Sequence, residues 1–230
     1  MAADDVAAPS VVEVIKLDEL FTVQTGTLSQ RQMLSSVYTR HDLVPVHTTF
    51  SSQDWTGQTW KEVVRSNGVP TELRFSSHWD GEARGARSLK DEPASAVLFD
   101  DLVVWLRALR SDAPTSFTLN VIPSLVSSRV GTPVSEAARI ETHRGESLRI
   151  AGKNWHVRRT DVFRRSGVDT LWYDDDGAGP LLRWRKPDGT VWSLVETARL
   201  TQGKWAHPGD SLEAAAEAEK ASPIIPPGPR

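Results

Sequence analysis

The chain contains no cysteine. That absence removes disulfide frameworks, thiolate zinc sites, iron–sulfur clusters and cysteine nucleophiles together. Any chemistry has to run on oxygen and nitrogen groups. No apolar run approaches the ~20 residues that a membrane-spanning helix needs, so no membrane span is expected. An excess of positive charge is also missing. Twenty-seven Lys and Arg stand against 30 Asp and Glu, a formal charge of −3. No basic field is available to hold a polyanion, and nucleic acid is not an expected partner. There is no Gly-rich phosphate loop and no Gly-X-Ser-X-Gly elbow, and Ser124, Ser127 and Ser128 sit beside no evident base. Tyr and Met are scarce, with two each, whereas Trp reaches nine in 230 residues.

That length is enough to bury a substantial core. The two ends read differently from the middle. Residues 1–10 have neither a basic nor an apolar stretch and are read as a disordered segment. A Met placed before an Ala- and Asp-rich start is expected for a mature exported chain, periplasmic or secreted, carrying an initiator in place of its leader. From about residue 206 an Ala/Glu stretch without an apolar stripe leads into Ser-Pro-Ile-Ile-Pro-Pro-Gly-Pro-Arg, a polyproline-like tail that a protein partner could hold. Residues 11–205 are expected to form a single β-rich domain.

Within it, short alternating runs are bounded by turn residues. Trp60–Arg65 and Glu72–Trp79 flank Asn67-Gly68, whose two residues suit the positive φ of a type I′ hairpin turn. On the second run, Leu73, Phe75, Ser77 and Trp79 face one way, and Arg74, Ser76, His78 and Asp80 the other. One helix is expected between 95 and 110: Leu98, Leu102, Trp105, Leu106 and Leu109 make an apolar stripe, with Asp100, Asp101, Arg107 and Arg110 carrying charge. Strand signals return at Phe117–Ile122, Ser147–Ile150, Trp155–Phe163, Thr170–Tyr173 and Leu181–Arg185. Pro187-Asp188-Gly189 then turns the chain into Val191–Val195. The order implies an α+β fold, mostly β: a curved antiparallel sheet or half-barrel wrapped around or packed on one main helix.

Phe99-Asp-Asp-Leu-Val-Val-Trp-Leu-Arg-Ala-Leu109, followed by Trp172-Tyr-Asp174, Leu182-Arg-Trp184 and Asp188-Gly189, gives residues 35–200 a layout that resembles a family of exported bacterial proteins of unknown function. Those proteins are similar to the half-barrel lipoprotein carriers. The resemblance implies an exported protein with an apolar cavity and carries over no catalytic residue.

Several Trp side chains on one inner face would line such a cavity, and the same rings stack on sugars. Trp55, Trp60, Phe75, Trp79, Trp172, Tyr173, Trp184 and Trp192 are the candidate contacts to a small apolar or saccharide-like ligand, with no cofactor. Trp155 and Trp205 complete the set with Trp105. The alternatives are an interaction subunit of an envelope assembly, whose partner would hold the tail, and a metal-dependent oxygenase or hydrolase. On a strand His78 and Asp80 would share a face and could ligate Fe or Zn, with His156 or His143 as third ligand. Arg158, Arg164 or Arg165 would then clamp a carboxylate cosubstrate. This spacing is similar to the His-X-Asp…His pattern of non-haem iron, 2-oxoglutarate-dependent oxygenases. Asp80 with Glu82 would be the acid–base pair of a glycosidase. His41, Asp42 and His47 form a second polar group beside Leu43–Val46, which reads as an edge strand, and Asp174-Asp175-Asp176 reads as an acidic turn.

Overall fold

The described chain opens on an alternating hairpin. In the computed structural model, which describes residues 12–25, 27–109, 116–131, 133–175 and 179–196, β1 (Val14–Thr25) pairs antiparallel with β2 (Leu28–Thr39) along its whole length. The meander continues through β3 (Pro45–Gln53), β4 (Gln58–Ser66), β5 (Val69–Ser76) and β6 (Arg84–Ser88) as a six-stranded sheet. Asn67 and Gly68 take φ of 49° and 80° and close the β4–β5 hairpin as their sequence dictates. Side chains at alternate positions share a face, so the register produces rows across the sheet. Glu19, Leu34, Phe50, Lys61 and Phe75 fall on one such row.

A second sheet of seven strands follows, all antiparallel except at one edge. There β7 (Val97–Leu98) pairs in parallel with β8 (Ser116–Ile122), and β9 (Glu136–Ile150), β10 (Lys153–Arg164), β11 (Gly167–Asp174), β12 (Leu181–Arg185) and β13 (Val191–Ser193) continue the meander. Its corresponding row is Thr142, Thr160, Leu171, Trp184 and Trp192. The protein is α+β and mostly β: a curled, half-barrel antiparallel sheet with, among the described residues, a single helix, α1 (Phe99–Ala108), inside the curl. Buried side chains form one cluster against the first sheet around Phe50, Leu73 and Leu125, and another between α1 and the second sheet around Leu102, Leu106, Ile140 and Leu171.

Four sequence readings need correction. The helix starts at Phe99, not Ser95, because Val97 and Leu98 are committed to the parallel bridge with Val121 and Ile122. Asp100 and Asp101, read as carrying charge apart from the apolar stripe, are buried. The Leu43–Val46 stretch is not an edge: β3 lies between β2 and β4, and Pro45 occupies its first position, where the missing N–H removes no interior ladder bond. β5 ends at Ser76, so Ser77–Asp80 is irregular chain, with Ser77 Oγ accepting from Trp79 N at 3.2 Å and Glu82 N bonding back to Trp79 O. Residues 1–10, Arg110, Asp176, Trp205 and the 206–230 tail lie outside the described residues.

Candidate functional site

Alternation along β1 points Ile15, Leu17, Glu19 and Phe21 into the curl. Together with α1, β12 and β13 they bound a cleft of about 690 Å³, within the size range of small-molecule sites. The helix contributes Val103 and Val104, β11 contributes Tyr173, and β12 and β13 contribute Leu182, Trp184 and Trp192. Trp192 meets Phe21 edge-on, with ring centroids 5.0 Å apart, so the two sheets touch across the cleft through these rings.

Three of the four lining aromatics that carry a polar atom have it engaged. Trp184 Nε1 donates to Asp169 Oδ1 at 2.9 Å, Tyr173 OH donates to Val103 O at 2.9 Å, and Tyr38 OH donates to Asp101 Oδ1 at 3.2 Å. What they present to the cleft is ring surface. Charge enters at a few points: Lys16, Arg107, Arg183 and Lys186 are cationic, Glu19 and Asp100 acidic. Lys186 Nζ sits 4.7 Å from the Trp184 ring centroid and 4.8 Å from that of Trp192. Asp100 turns away, accepting from Ser124 Oγ at 2.5 Å and Leu125 N at 2.8 Å.

Burial sets the titration of these groups. It pushes the Glu19 carboxyl up to about 7, reinforced by Asp100 and opposed by Lys186. It pushes Asp101 up to about 6 against the pull of Arg65, and raises Asp100 as well. Lys61, whose Nζ donates to Leu125 O at 2.9 Å and Ser127 O at 2.7 Å, is 1% exposed, and burial lowers it to about 8.

These shifts predict an unusual stability profile. Between their ordinary values, 4.5 and 3.8, and the folded values near 7 and 6, Glu19 and Asp101 bind more protons in the native state, so stability falls as pH rises through that window. Lys61 binds fewer protons in the native state between about 8 and 10.5, so stability rises there. Melting temperatures measured from pH 4.5 to 10 are expected to dip between pH 7 and 8, with Glu19→Gln flattening the acid limb. A maximum at neutral pH would contradict these assignments.

Of the aromatic residues that the sequence singles out for a ligand, Tyr173, Trp184 and Trp192 line the cleft. The other five do not. Phe75 is buried in the first-sheet core. Trp55 is 75% exposed in the β3–β4 turn, and Trp60 lies on the outer face of β4 beside a shallow depression with Arg74 and Arg84. Trp79 is covered by the Arg129 guanidinium, 4.1 Å from its centroid. Trp172 points opposite to Tyr173 and packs with Trp155 near Ile150, Val157 and Leu182.

The metal constellation is not assembled. His78, held by Thr56 Oγ1 at 2.9 Å and 4.0 Å from Asp54 Oδ1, is off the strand, Asp80 is exposed in the following turn, and His156 is exposed on β10 of the other sheet. Among the described residues no group of three His, Asp or Glu converges as a metal site. Arg158, Arg164 and Arg165 do not converge as a clamp either. Arg158 binds the carbonyls at the end of α1, Arg164 pairs with Asp169, and Arg165 is exposed with its backbone N–H on Glu136. His143 lies 3.4 Å from Asp161 on the second sheet, and His47 3.6 Å from Glu62 on the first. Glu82 is committed to structure, accepting from Ser77 Oγ and Val130 N.

Sequence reading missed the β1 wall, Glu19 and Lys186. The signal for the wall was present as the alternation Ile15, Leu17, Glu19, Phe21. Searches against protein-family models, curated proteins and solved structures return no match for this chain.

Proposed function

We propose that the protein is a binding protein that holds an apolar ligand in the cleft between β1, α1 and β12–β13. The observation that carries this reading is the chemistry of the lining: branched aliphatic side chains from three elements and aromatic rings, with the polar atoms of Tyr38, Tyr173 and Trp184 bonded elsewhere. A saccharide site needs planar amides and carboxylates ranged beside an open ring face. Among the described lining residues there is no Asn or Gln, and Asp100 is turned to the 124–125 loop. An apolar ligand is therefore favoured over a saccharide. The resemblance to exported half-barrel carriers agrees with this reading and suggests a place outside the cytoplasm.

The test uses an uncharged reporter, N-phenyl-1-naphthylamine, whose fluorescence rises in apolar surroundings. Saturable binding of one probe per chain is expected, with energy transfer from Trp184 and Trp192. Leu17→Trp, which fills the cleft from the β1 side, should weaken it ~10-fold or more, about 1.4 kcal/mol, while leaving the melting transition cooperative. Unsaturable probe binding, or equal affinity in the filled variant, would remove the reading.

A further inference from the structure

The charges around the cleft are not evenly mixed, and their placement identifies the head of the ligand. Lys186 follows β12 directly, and its ammonium lies against the ring faces of both Trp184 and Trp192. A cation on two indole faces is held at a defined point by the rings' negative quadrupole instead of ranging through solvent. Trp192 is 37% exposed, so this point is at the rim, whereas Val103 and Val104 lie inward on the helix. Three residues earlier, Arg183 also borders the cleft, and its Nε donates to Ser193 Oγ at 3.2 Å across the β12–β13 pair.

Among the described residues, no carboxylate comes within 4.0 Å of either cation. The other cleft cation on β1, Lys16, is occupied with Asp18 at 2.9 Å. The acids offset the rim only in part, because Asp100 is bonded to Ser124 and Leu125, while Glu19, on the β1 wall, lies within electrostatic reach of Lys186 without an ion pair to it. A rim with two oriented cations above an aliphatic interior suits an anion with an apolar tail, since charge-assisted bonds to carboxylate or phosphate are the strong ones.

Resting on the cleft as the ligand site, we propose that it selects single-chain anionic amphipaths, with Lys186 and Arg183 holding a carboxylate or phosphate head at the rim while the alkyl chain lies against Leu17, Val103 and Val104.

The experiment is displacement of N-phenyl-1-naphthylamine by four ligands of one chain length: dodecanoate, dodecyl phosphate, dodecanol and dodecyltrimethylammonium, all below their micellar concentrations. At low ionic strength the two anions are expected to displace the probe at concentrations ~10-fold or more below the alcohol, with the ammonium weakest. The ratio of dodecanoate to dodecyl phosphate then tells a fatty-acid head from a phosphate head. The double variant Lys186→Gln/Arg183→Gln should bring the anions to the level of the alcohol while changing dodecanol less than about twofold. High salt should do the same to the unaltered protein by screening the rim, which keeps the test decisive should the double variant not fold. Equal displacement by anion and alcohol in the unaltered protein would overturn the head assignment and leave the apolar cleft standing. Failure of the probe itself to bind would overturn both.

Discussion

Asp101→Ala is expected to destabilise the protein by about 3–5 kcal/mol, because it strands a buried charge. The Asp101 side chain is 1% exposed and that of Arg65 2% exposed, and the guanidinium lies 2.8 Å from the carboxylate. Asp101 also accepts from Tyr38 OH. After truncation Arg65 keeps only Thr48 Oγ1 at 2.9 Å and a long contact to Gly68 O, far from enough to solvate a cation inside a protein. Tyr38, equally buried, loses its acceptor.

The comparison that isolates the cause is Asp101→Leu with Arg65→Met. Removing both charges together should recover most of the loss, since a buried pair adds little over apolar residues of similar volume even though breaking it is costly. Urea unfolding of the two single variants and the double variant gives the coupling energy directly. A cost below about 1 kcal/mol for Asp101→Ala would mean that the pair is reached by water and that burial does not govern this region. The pair also ties α1 to the first sheet. Its loss should loosen the Val103–Val104 wall and weaken probe binding beyond any effect on the Trp side.

Those acids mark the boundary of what a sequence discloses. The helix itself was legible from the spacing of Leu98, Leu102, Trp105, Leu106 and Leu109, and the β4–β5 hairpin from Asn67-Gly68. Asp100 and Asp101 look like ordinary first-turn acids placed at the positive end of a helix. Their burial depends on Tyr38, Arg65 and Ser124, residues between 24 and 63 positions away, which no local pattern reports.

The cleft divides in the same way. Period-two alternation already requires Trp172 and Tyr173 to point to opposite faces of β11, so both cannot line one cavity. Trp184 and Trp192 face each other because the Pro187–Gly189 turn sets their register, which is a local fact. That Phe21, 171 residues earlier, closes against Trp192 is a property of how the sheet curls. His78-X-Asp80 failed for a local reason. The strand that would have placed both side chains on one face ends two residues before His78, where Ser77 bonds to Glu82 and to the Trp79 N–H instead of continuing the ladder. Gly57 fits the same place, since a Cβ there would lie 2.6 Å from the His78 Cβ, and its φ of 154° is one that L side chains rarely adopt.

Arg158→Met is expected to cost about 3 kcal/mol, as charge-assisted hydrogen bonds to three carbonyls disappear into a buried site. The last carbonyls of any helix lack intrahelical partners. Here β10 supplies the donors through Arg158, itself 2% exposed, at the end of α1. Nη2 reaches Leu106 O at 2.8 Å and Arg107 O at 3.2 Å, and Nη1 bonds to Leu109 O. Its positive charge also sits at the negative end of the helix dipole.

Arg158→Lys should recover little of the loss. One ammonium on a flexible stem cannot span the three acceptors that a planar fork reaches at once, and burial penalises its charge more heavily because it is more strongly hydrated. Measured by urea unfolding, a Lys variant as stable as the unaltered protein would show that a point charge is enough and that the fork geometry is incidental. A Met variant within about 0.5 kcal/mol would show that water satisfies the carbonyls. Val104, Arg107 and Ala108 carry the cleft wall on this last stretch of helix. Fraying of that end should therefore weaken N-phenyl-1-naphthylamine binding at temperatures well below the global melt, which separates loss of the wall from loss of the fold.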